Sequence, residues 1–312
     1  MREVLVRSGR NRPDLTPVYA HFEQATGIRV VVEKVYHRDV GARTLDEAGR
    51  PHADVLLTNS RIAIEELRGR GVFEPVRTAV AEALDADLRA EDFGWVAFTA
   101  WPRTAMVNLD VLPDPARWPR RLEDLATPAF AGRVGCASMV EMTTVAQFAS
   151  LVVARGEAWV RALLERLVAH GLRVYRSNLD TREALAREPL AVALANASNV
   201  HVFRAAGHRV ADAWLDQGEG EVGTCVEAHT VAVLRGAAHP EPARAFVEFL
   251  LARPTQEELA RRYGETPVHP DARCDGVRPL AEIRRTAAPL AAVRAALTAT
   301  EALLRRAGFD VA

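Results

Sequence analysis

The sequence predicts an α/β fold in two parts, each a mostly parallel sheet flanked by helices. Short apolar segments alternate with segments of helical periodicity along most of the 312 residues, and such alternation is typical of doubly wound sheets. The length corresponds to roughly two domains of about 150 residues each. Hydrophobic residues make up 49% and charged residues 26% of the chain, as in an ordinary globular protein.

The first half begins with three apolar, β-branched segments that predict strands at residues 4–6, 28–35 and 53–57. A helix follows the first of them and ends at Gly27, because glycine is favoured just beyond a helix terminus. Another helix is predicted over about 40–48. A third begins after Thr58-Asn59-Ser60 and runs to about Arg70.

The rest of the chain repeats this alternation. Strands are predicted at 95–98, 104–108, 132–136, 172–175, 190–195 and 231–234. Helices are predicted at 143–153, 157–170, 180–187, 240–252, 254–263 and 288–307. Trp101-Pro102-Arg103 reads as a break between two strands, because proline cannot donate to a sheet ladder.

Several classes of protein are disfavoured by composition. The net charge of −1 gives no basic field for nucleic acid, and no apolar stretch approaches the ~20 residues that span a bilayer. Cys136, Cys225 and Cys274 contain no CxxC pair, so neither a disulfide framework nor a zinc cluster is indicated. The sequence leaves one disulfide as an alternative; otherwise we expect each cysteine to be a small buried apolar residue. We expect no cofactor.

Several segments, in chain order, resemble the ferric-iron-type family of periplasmic binding proteins. They are Val6-Arg7-Ser8-Gly9-Arg10, Gly27-Ile28-Arg29-Val30, Ala53-Asp54-Val55-Leu56-Leu57, Leu122-Glu123-Asp124-Leu125, Phe130-Ala131-Gly132-Arg133-Val134-Gly135, His239-Pro240-Glu241-Pro242-Ala243, Phe246-Val247-Glu248-Phe249-Leu250-Leu251 and Thr266-Pro267-Val268-His269-Pro270. Each match alone is weak, but together they cover nearly the whole chain.

The resemblance implies the type II periplasmic binding fold, with two discontinuous lobes joined by crossover hinge strands. Lobe 1 would comprise residues 1–96 and 227–275, and lobe 2 residues 97–226 and 276–312. It also implies a monomeric, non-enzymatic component of an ABC importer that binds its ligand between the lobes and docks on a membrane permease. Such a protein is periplasmic or extracellular, and the missing signal-peptide pattern then means a signal already removed; the alternative is a cytosolic chain.

Iron-binding members of that family hold Fe(III) with a histidine and a carboxylate from the first lobe and two adjacent tyrosines from the second. The histidine position matches Asn11 and the carboxylate position Asn59, and the tyrosine pair should closely follow Asn196, where the residues are Ala197-Ser198-Asn199. None is anionic, whereas a small trivalent cation needs hard anionic oxygen donors. We therefore expect the direct metal site to be lost.

The family's anion subsite is better matched. Thr143 and Thr144 open a predicted helix, where free N–H groups favour anions, and Arg103 suits phosphate or carboxylate. The expected ligand is a small organic molecule with a phosphate, phosphonate or carboxylate head. The complete predicted binding set is Ser8, Arg10, Asn11, Asn59, Ser60, Arg103, Thr143, Thr144, Asn178, Asn196, Ser198 and Asn199. Helix capping and ordinary turn formation are the structural alternatives for most of these.

Two other readings remain. One is a ferric-iron or iron-chelate binding protein. The other is a cytosolic enzyme or sensor domain on the same fold, although GxSxG, Walker and GxGxxG motifs are absent and Glu227-Ala228-His229 lacks the second histidine of HExxH.

Overall fold

The computed structural model describes residues 2–10, 14–36, 39–41, 44–45 and 49–311. The chain forms two compact units. Unit 1 comprises Met1–Ala100 and Ala228–Asp275, and unit 2 comprises Trp101–Glu227 and Gly276–Ala312. Both units combine strands and helices, which confirms the predicted α/β class.

Unit 1 contains a sheet whose first strands are parallel. Its strands are β1 (Glu3–Ser8), β2 (Arg29–Lys34), β3 (Val55–Thr58) and β4 (Phe73–Glu74), to which two later strands, β10 (Val226–Leu234) and β11 (Thr266–Pro267), are added. The order β2-β1-β3-β10 places β1 between β2 and β3, parallel to both, while β10 runs antiparallel to β3. Polar side chains at the ends of β1 and β3 therefore share one edge of the sheet.

The helices of unit 1 are α1 (Thr16–Thr26), α2 (Arg61–Arg68), α3 (Ala79–Ala83), α8 (Pro240–Leu251) and α9 (Arg253–Tyr263). Gly27 adopts φ +67° at the end of α1, as the sequence predicts. Phe22 of α1 meets Phe246 of α8 edge-on, with ring centroids 5.2 Å apart. This aromatic contact joins the early and late parts of the chain in one core.

Unit 2 contains a second sheet, with β5 (Val96–Asn108) leading into β6 (Val134–Ala137), β7 (Arg173–Tyr175), β8 (Val192–Asn196) and β9 (Val210–Ala213). The order is β5-β8-β6-β7, in which β8, β6 and β7 are parallel and β5 is antiparallel to β8. Strand β9 pairs with β5 as well. Because β8, β6 and β7 are parallel, the loops that leave them lie along one edge.

The helices of unit 2 are α4 (Met142–Arg155), α5 (Glu157–Ala169), α6 (Asn178–Arg187), α7 (Ala197–Ala205) and α10 (Leu290–Arg306). Phe148 and Phe309 are fully buried in its core and stack edge-on at 5.7 Å. Among the helices of the described residues, none is long and apolar enough to cross a membrane.

The structure corrects two of the predicted elements. The predicted break at Trp101-Pro102-Arg103 is wrong, because β5 is a single strand of 13 residues. Pro102 lies between Ala100, which pairs with β11, and Arg103, which pairs with β8, so its missing N–H interrupts neither ladder. The predicted helix over 40–48 lies partly outside the described residues, and Leu45 forms an isolated bridge with Pro51 rather than a helical turn.

Helix α7 and strand β9 were not predicted at all. Val200 and Phe203 are both buried and lie three residues apart, a spacing that is typical of a helix and could have predicted α7. The three cysteines are free; Cys136 and Cys225 are buried as predicted, whereas Cys274 is only partly buried.

Candidate functional site

Arg103 is the charged side chain around which the polar residues of unit 2 gather. It lies on β5 and is 3% exposed. Its Nε donates to Gln147 Oε1 (3.0 Å), and its Nη1 donates to Asn178 Oδ1 (3.2 Å) and Asn196 Oδ1 (2.9 Å). Three side-chain amides from three different elements therefore hold the guanidinium in place.

The charge of Arg103 has no hydrogen-bonded carboxylate partner in the described chain. All three acceptors are neutral amide oxygens, and Nη2 has no partner among the residues that the structure describes. Burial lowers the pKa of Arg103, yet a guanidinium remains protonated in proteins. A buried charge that lacks an ionic partner is costly, so this arrangement favours an anion beside Nη2.

The fold explains why these amides meet. Asn196 is the last residue of β8 and the direct cross-strand neighbour of Arg103. Asn178 is the first residue of α6, a helix capped by Ser177, whose hydroxyl accepts from Asp180 N at 3.1 Å. Gln147 lies on α4. Strand pairing and helix starts thus deliver side chains from distant parts of the sequence to one edge of the sheet.

The two predicted threonines of α4 differ in their roles. Thr143 Oγ1 accepts from Asn178 Nδ2 at 3.2 Å, which fixes the orientation of that amide toward Arg103. The hydroxyl of Thr144 instead donates to Ala137 O (3.2 Å), and its backbone N–H donates to Glu141 O (2.9 Å). Thr144 is fully buried, so its polar groups serve the internal structure.

Glu141 is a site residue that the sequence analysis missed. It is the N-cap of α4 and is partly exposed. Its Oε1 accepts the backbone N–H of Asn178 at 3.2 Å, and its charge acts to raise the pKa of Arg103. The signal was available: an acidic residue directly before a helix complements the N-terminal dipole, but the predicted helix began two residues later.

The predicted residues of unit 1 follow β1 and β3. Ser8 Oγ donates to Arg10 O (2.9 Å) and accepts Arg10 N–H (3.2 Å), so it forms a tight local turn. Ser60 Oγ accepts Ala63 N–H at 3.2 Å as the N-cap of α2. Asn59 precedes it and is partly exposed. Asn11 lies outside the described residues.

Arg10 belongs to a buried ionic network in unit 1. Its Nη2 forms an ion pair with Glu265 Oε1, and Thr99 Oγ1 donates to Glu265 Oε2 at 2.6 Å. His229 Nδ1 lies 3.4 Å from the same Oε2. Burial would raise the pKa of Glu265, but the charge of Arg10, with contributions from His229 and Thr99, lowers it to about 2. Burial lowers the pKa of His229, which favours the neutral imidazole at neutral pH.

Ser198 and Asn199 lie in the first turn of α7, directly after Asn196, and both are partly exposed. The structure therefore brings together Arg103, Asn178, Asn196 and Thr143 through hydrogen bonds, with Ser198 and Asn199 adjacent in the chain. Ser8 and Arg10 form a separate group in unit 1.

Comparison with known proteins gives the family. Residues 50–286 match the profile of the family described as bacterial extracellular solute-binding protein. Iron uptake protein A1 of Synechocystis is 31% identical over 279 residues, which cover 86% of this chain and 76% of that protein. The chain belongs to the bacterial extracellular solute-binding proteins. Members of this family are transport proteins rather than enzymes; they bind a ligand in the periplasm or outside the cell and interact with an ABC permease.

Solved structures agree on the fold of this solute-binding protein. Iron-bound HitA from Pseudomonas aeruginosa matches with a TM-score of 0.83 at 21% identity, covering 99% of this chain and 100% of HitA. The Trichodesmium protein IdiA (FutA), solved with iron and citrate ligands, matches with a TM-score of 0.83 at 19% identity, covering 99% and 100%. The type II periplasmic binding fold is thereby confirmed.

A second relative is the major ferric iron-binding protein of Neisseria meningitidis serogroup B, 24% identical over 274 residues that cover 86% of this solute-binding protein and 82% of the relative. In the described part of the present chain, no group of three or more His, Cys, Asp or Glu side chains is placed to hold a metal ion. Burial raises the pKa of Tyr19 and of Tyr175 to about 12, and it raises that of Tyr263.

Proposed function

We propose that this solute-binding protein captures a small ligand that presents an anionic group, phosphate, phosphonate or carboxylate, to Arg103. The observation that carries the proposal is the buried guanidinium whose hydrogen-bonded partners are neutral amides and whose Nη2 is unpaired within the described chain. An anion there would accept charge-assisted hydrogen bonds from the two N–H groups of Nη2. Asn178, Asn196 and Thr143 would hold those donors in position.

The proposal includes the two lobes predicted from the sequence, residues 1–96 with 227–275 and residues 97–226 with 276–312. A ligand that contacts both lobes would stabilise one arrangement of them, and the permease would read that arrangement. No bond is made or broken in such a cycle.

Ferric iron, free or chelated, is the second candidate ligand, and the comparisons support it better than a metal-free anion. The Synechocystis relative is named an iron uptake protein, the Neisseria relative a ferric iron-binding protein, and one structural neighbour holds iron with citrate. Asn59, Ser198 and Asn199 offer only amides and a hydroxyl, so the anionic oxygens that Fe(III) requires would have to come mainly from a chelator. A chelator carboxylate could then occupy the place beside Arg103.

Both candidates share one contact, and titration calorimetry tests it. Inorganic phosphate, citrate and ferric citrate would be titrated into the wild type, into Arg103→Lys and into a control, Arg209→Ala, which removes an exposed arginine paired with Asp110. We expect Arg103→Lys to weaken binding of the recognised ligand about tenfold to a hundredfold, because a charge-assisted hydrogen bond contributes about 1.5–3 kcal/mol. Arg209→Ala should bind as the wild type does.

The ligands separate the two candidates. Binding of phosphate or citrate without metal supports the organic anion, whereas binding of ferric citrate alone, with a visible iron absorption band, supports the chelate. Equal affinity of Arg103→Lys and wild type for every ligand that binds would falsify the proposal.

A further inference from the structure

We propose that Glu141 makes the anion site selective for zwitterions, small ligands that carry a positive group as well as the anionic head. This inference rests on the proposed anion site at Arg103. It adds a second, negatively charged contact to that site and thereby a narrower chemical class of ligand.

Asn178 links the two charged residues. Its Oδ1 accepts from Arg103 Nη1 (3.2 Å), and its backbone N–H donates to Glu141 Oε1 (3.2 Å). One residue therefore contacts both the cation and the carboxylate, so the two charges lie within the span of a small molecule. The influence of Glu141 on the pKa of Arg103 agrees with this proximity.

Glu141 has unused capacity to bind a ligand. A carboxylate offers about four acceptor sites, and the bond from Asn178 is the one hydrogen bond that the Glu141 carboxylate accepts from the described residues. No arginine, lysine or histidine of that part lies within ion-pair distance of it, and it is partly exposed. A ligand ammonium could therefore be accommodated without breaking an existing ion pair.

The site therefore presents one positive and one negative contact to a ligand. A simple anion at Arg103 would face the negative charge of Glu141 and be repelled, whereas a ligand with a neighbouring ammonium would be attracted by it. Glu141 thus weakens the binding of simple anions relative to amino-bearing phosphonates or carboxylates. Thr143, which holds the amide of Asn178, keeps the two charged contacts in register.

Isosteric ligand pairs test this inference. The wild type, Glu141→Gln and the control Glu157→Gln would be titrated with 2-aminoethylphosphonate against propylphosphonate, and with β-alanine against butyrate. Glu157 is an exposed acid at the start of the neighbouring helix α5. Glutamine at 141 can still accept from Asn178 N–H, which preserves the local fold.

We expect the wild type to bind the amino-bearing member of at least one pair about tenfold more tightly, Glu141→Gln to remove or reverse that preference, and Glu157→Gln to retain it. A preference unchanged in Glu141→Gln overturns the inference, even if Arg103→Lys weakens both members. Loss of ferric citrate binding in Glu141→Gln, with the amine preference unchanged, also overturns it by assigning the positive group to a metal. Failure of the wild type to bind any of these ligands, ferric citrate and phosphate included, overturns both proposals.

Discussion

Units 1 and 2 each bury an arginine, Arg10 just after β1 and Arg103 within β5, yet the surroundings of the two charges differ. Arg10 of unit 1 is paired with the buried carboxylate of Glu265, and Thr99 and His229 complete the network. Arg103 of unit 2 is held by three neutral amides. A charge balanced inside the protein stabilises structure, whereas a charge left unbalanced is suited to a charged ligand.

Removing each charge in turn tests most directly whether the two arginines differ in their contribution to stability. Arg10→Met would leave Glu265 buried without its cation and should lower the free energy of unfolding by about 3–5 kcal/mol. Arg103→Met removes a charge that lacks an ionic partner. We expect the free energy of unfolding to fall by about 1 kcal/mol or less, because three amides lose their hydrogen-bond donor. Urea unfolding of the ligand-free proteins measures both, and equal losses would contradict the distinction.

Acid should affect the unit 1 network strongly. The pKa of Glu265 is about 2 in the folded protein, against an ordinary 4.5 that applies to the unfolded chain. The ionised carboxylate therefore contributes fully to stability above pH 4.5, and this contribution is lost as the pH falls toward 2. The difference corresponds to about 3 kcal/mol of unfolding free energy. Urea unfolding from pH 5 to pH 2 should show this loss in the wild type and a smaller loss in Glu265→Gln.

In unit 2, protonation of a buried carboxylate should increase the free energy of unfolding rather than lower it. Burial raises the pKa of Asp212, on β9, to about 6 from 3.8, and its Oδ1 has no partner in the described chain. A carboxyl group whose pKa is higher in the folded than in the unfolded protein destabilises the fold at pH values above the folded-state pKa. The destabilisation shrinks as the pH falls and is gone below the unfolded-state pKa. Asp212→Asn should therefore stabilise the protein at pH 7 by about 2 kcal/mol and at pH 4 by much less; the same unfolding assay checks it, and a constant difference would exclude this cause.

The smallest expected effects concern two helix caps. Ser60→Ala in unit 1 and Ser177→Ala in unit 2 each remove a cap that accepts a backbone N–H, at a cost of about 1 kcal/mol. Only Ser177 supports the start of α6, where Asn178 contacts Arg103. Calorimetry with the recognised anion should therefore show a several-fold loss of affinity for Ser177→Ala alone. A loss for Ser60→Ala as well would mean that its hydroxyl also meets the ligand.

Local sequence signals predicted most of the strands and helices. Asn178 and Asn196 could be proposed because parallel strands bring their carboxyl ends to one edge, whereas Arg103, which lies within β5, was proposed through the family resemblance. Glu265 and His229 could not, since their partner Arg10 lies more than 200 residues earlier and no local pattern encodes that distance. Glu141 was missed because the predicted start of α4 was one residue late, so the residue before the predicted helix was Met142 and not the N-cap Glu141.

Strand β5 has a practical consequence for anyone dividing this protein. The boundary between the units falls between Ala100 and Trp101, inside that one 13-residue strand. A gene cut at this boundary would give two polypeptides that end or begin partway along a β-strand and expose unpaired N–H and C=O groups, which recruit other chains. The two polypeptides should aggregate when expressed separately, and recovery would require their co-expression.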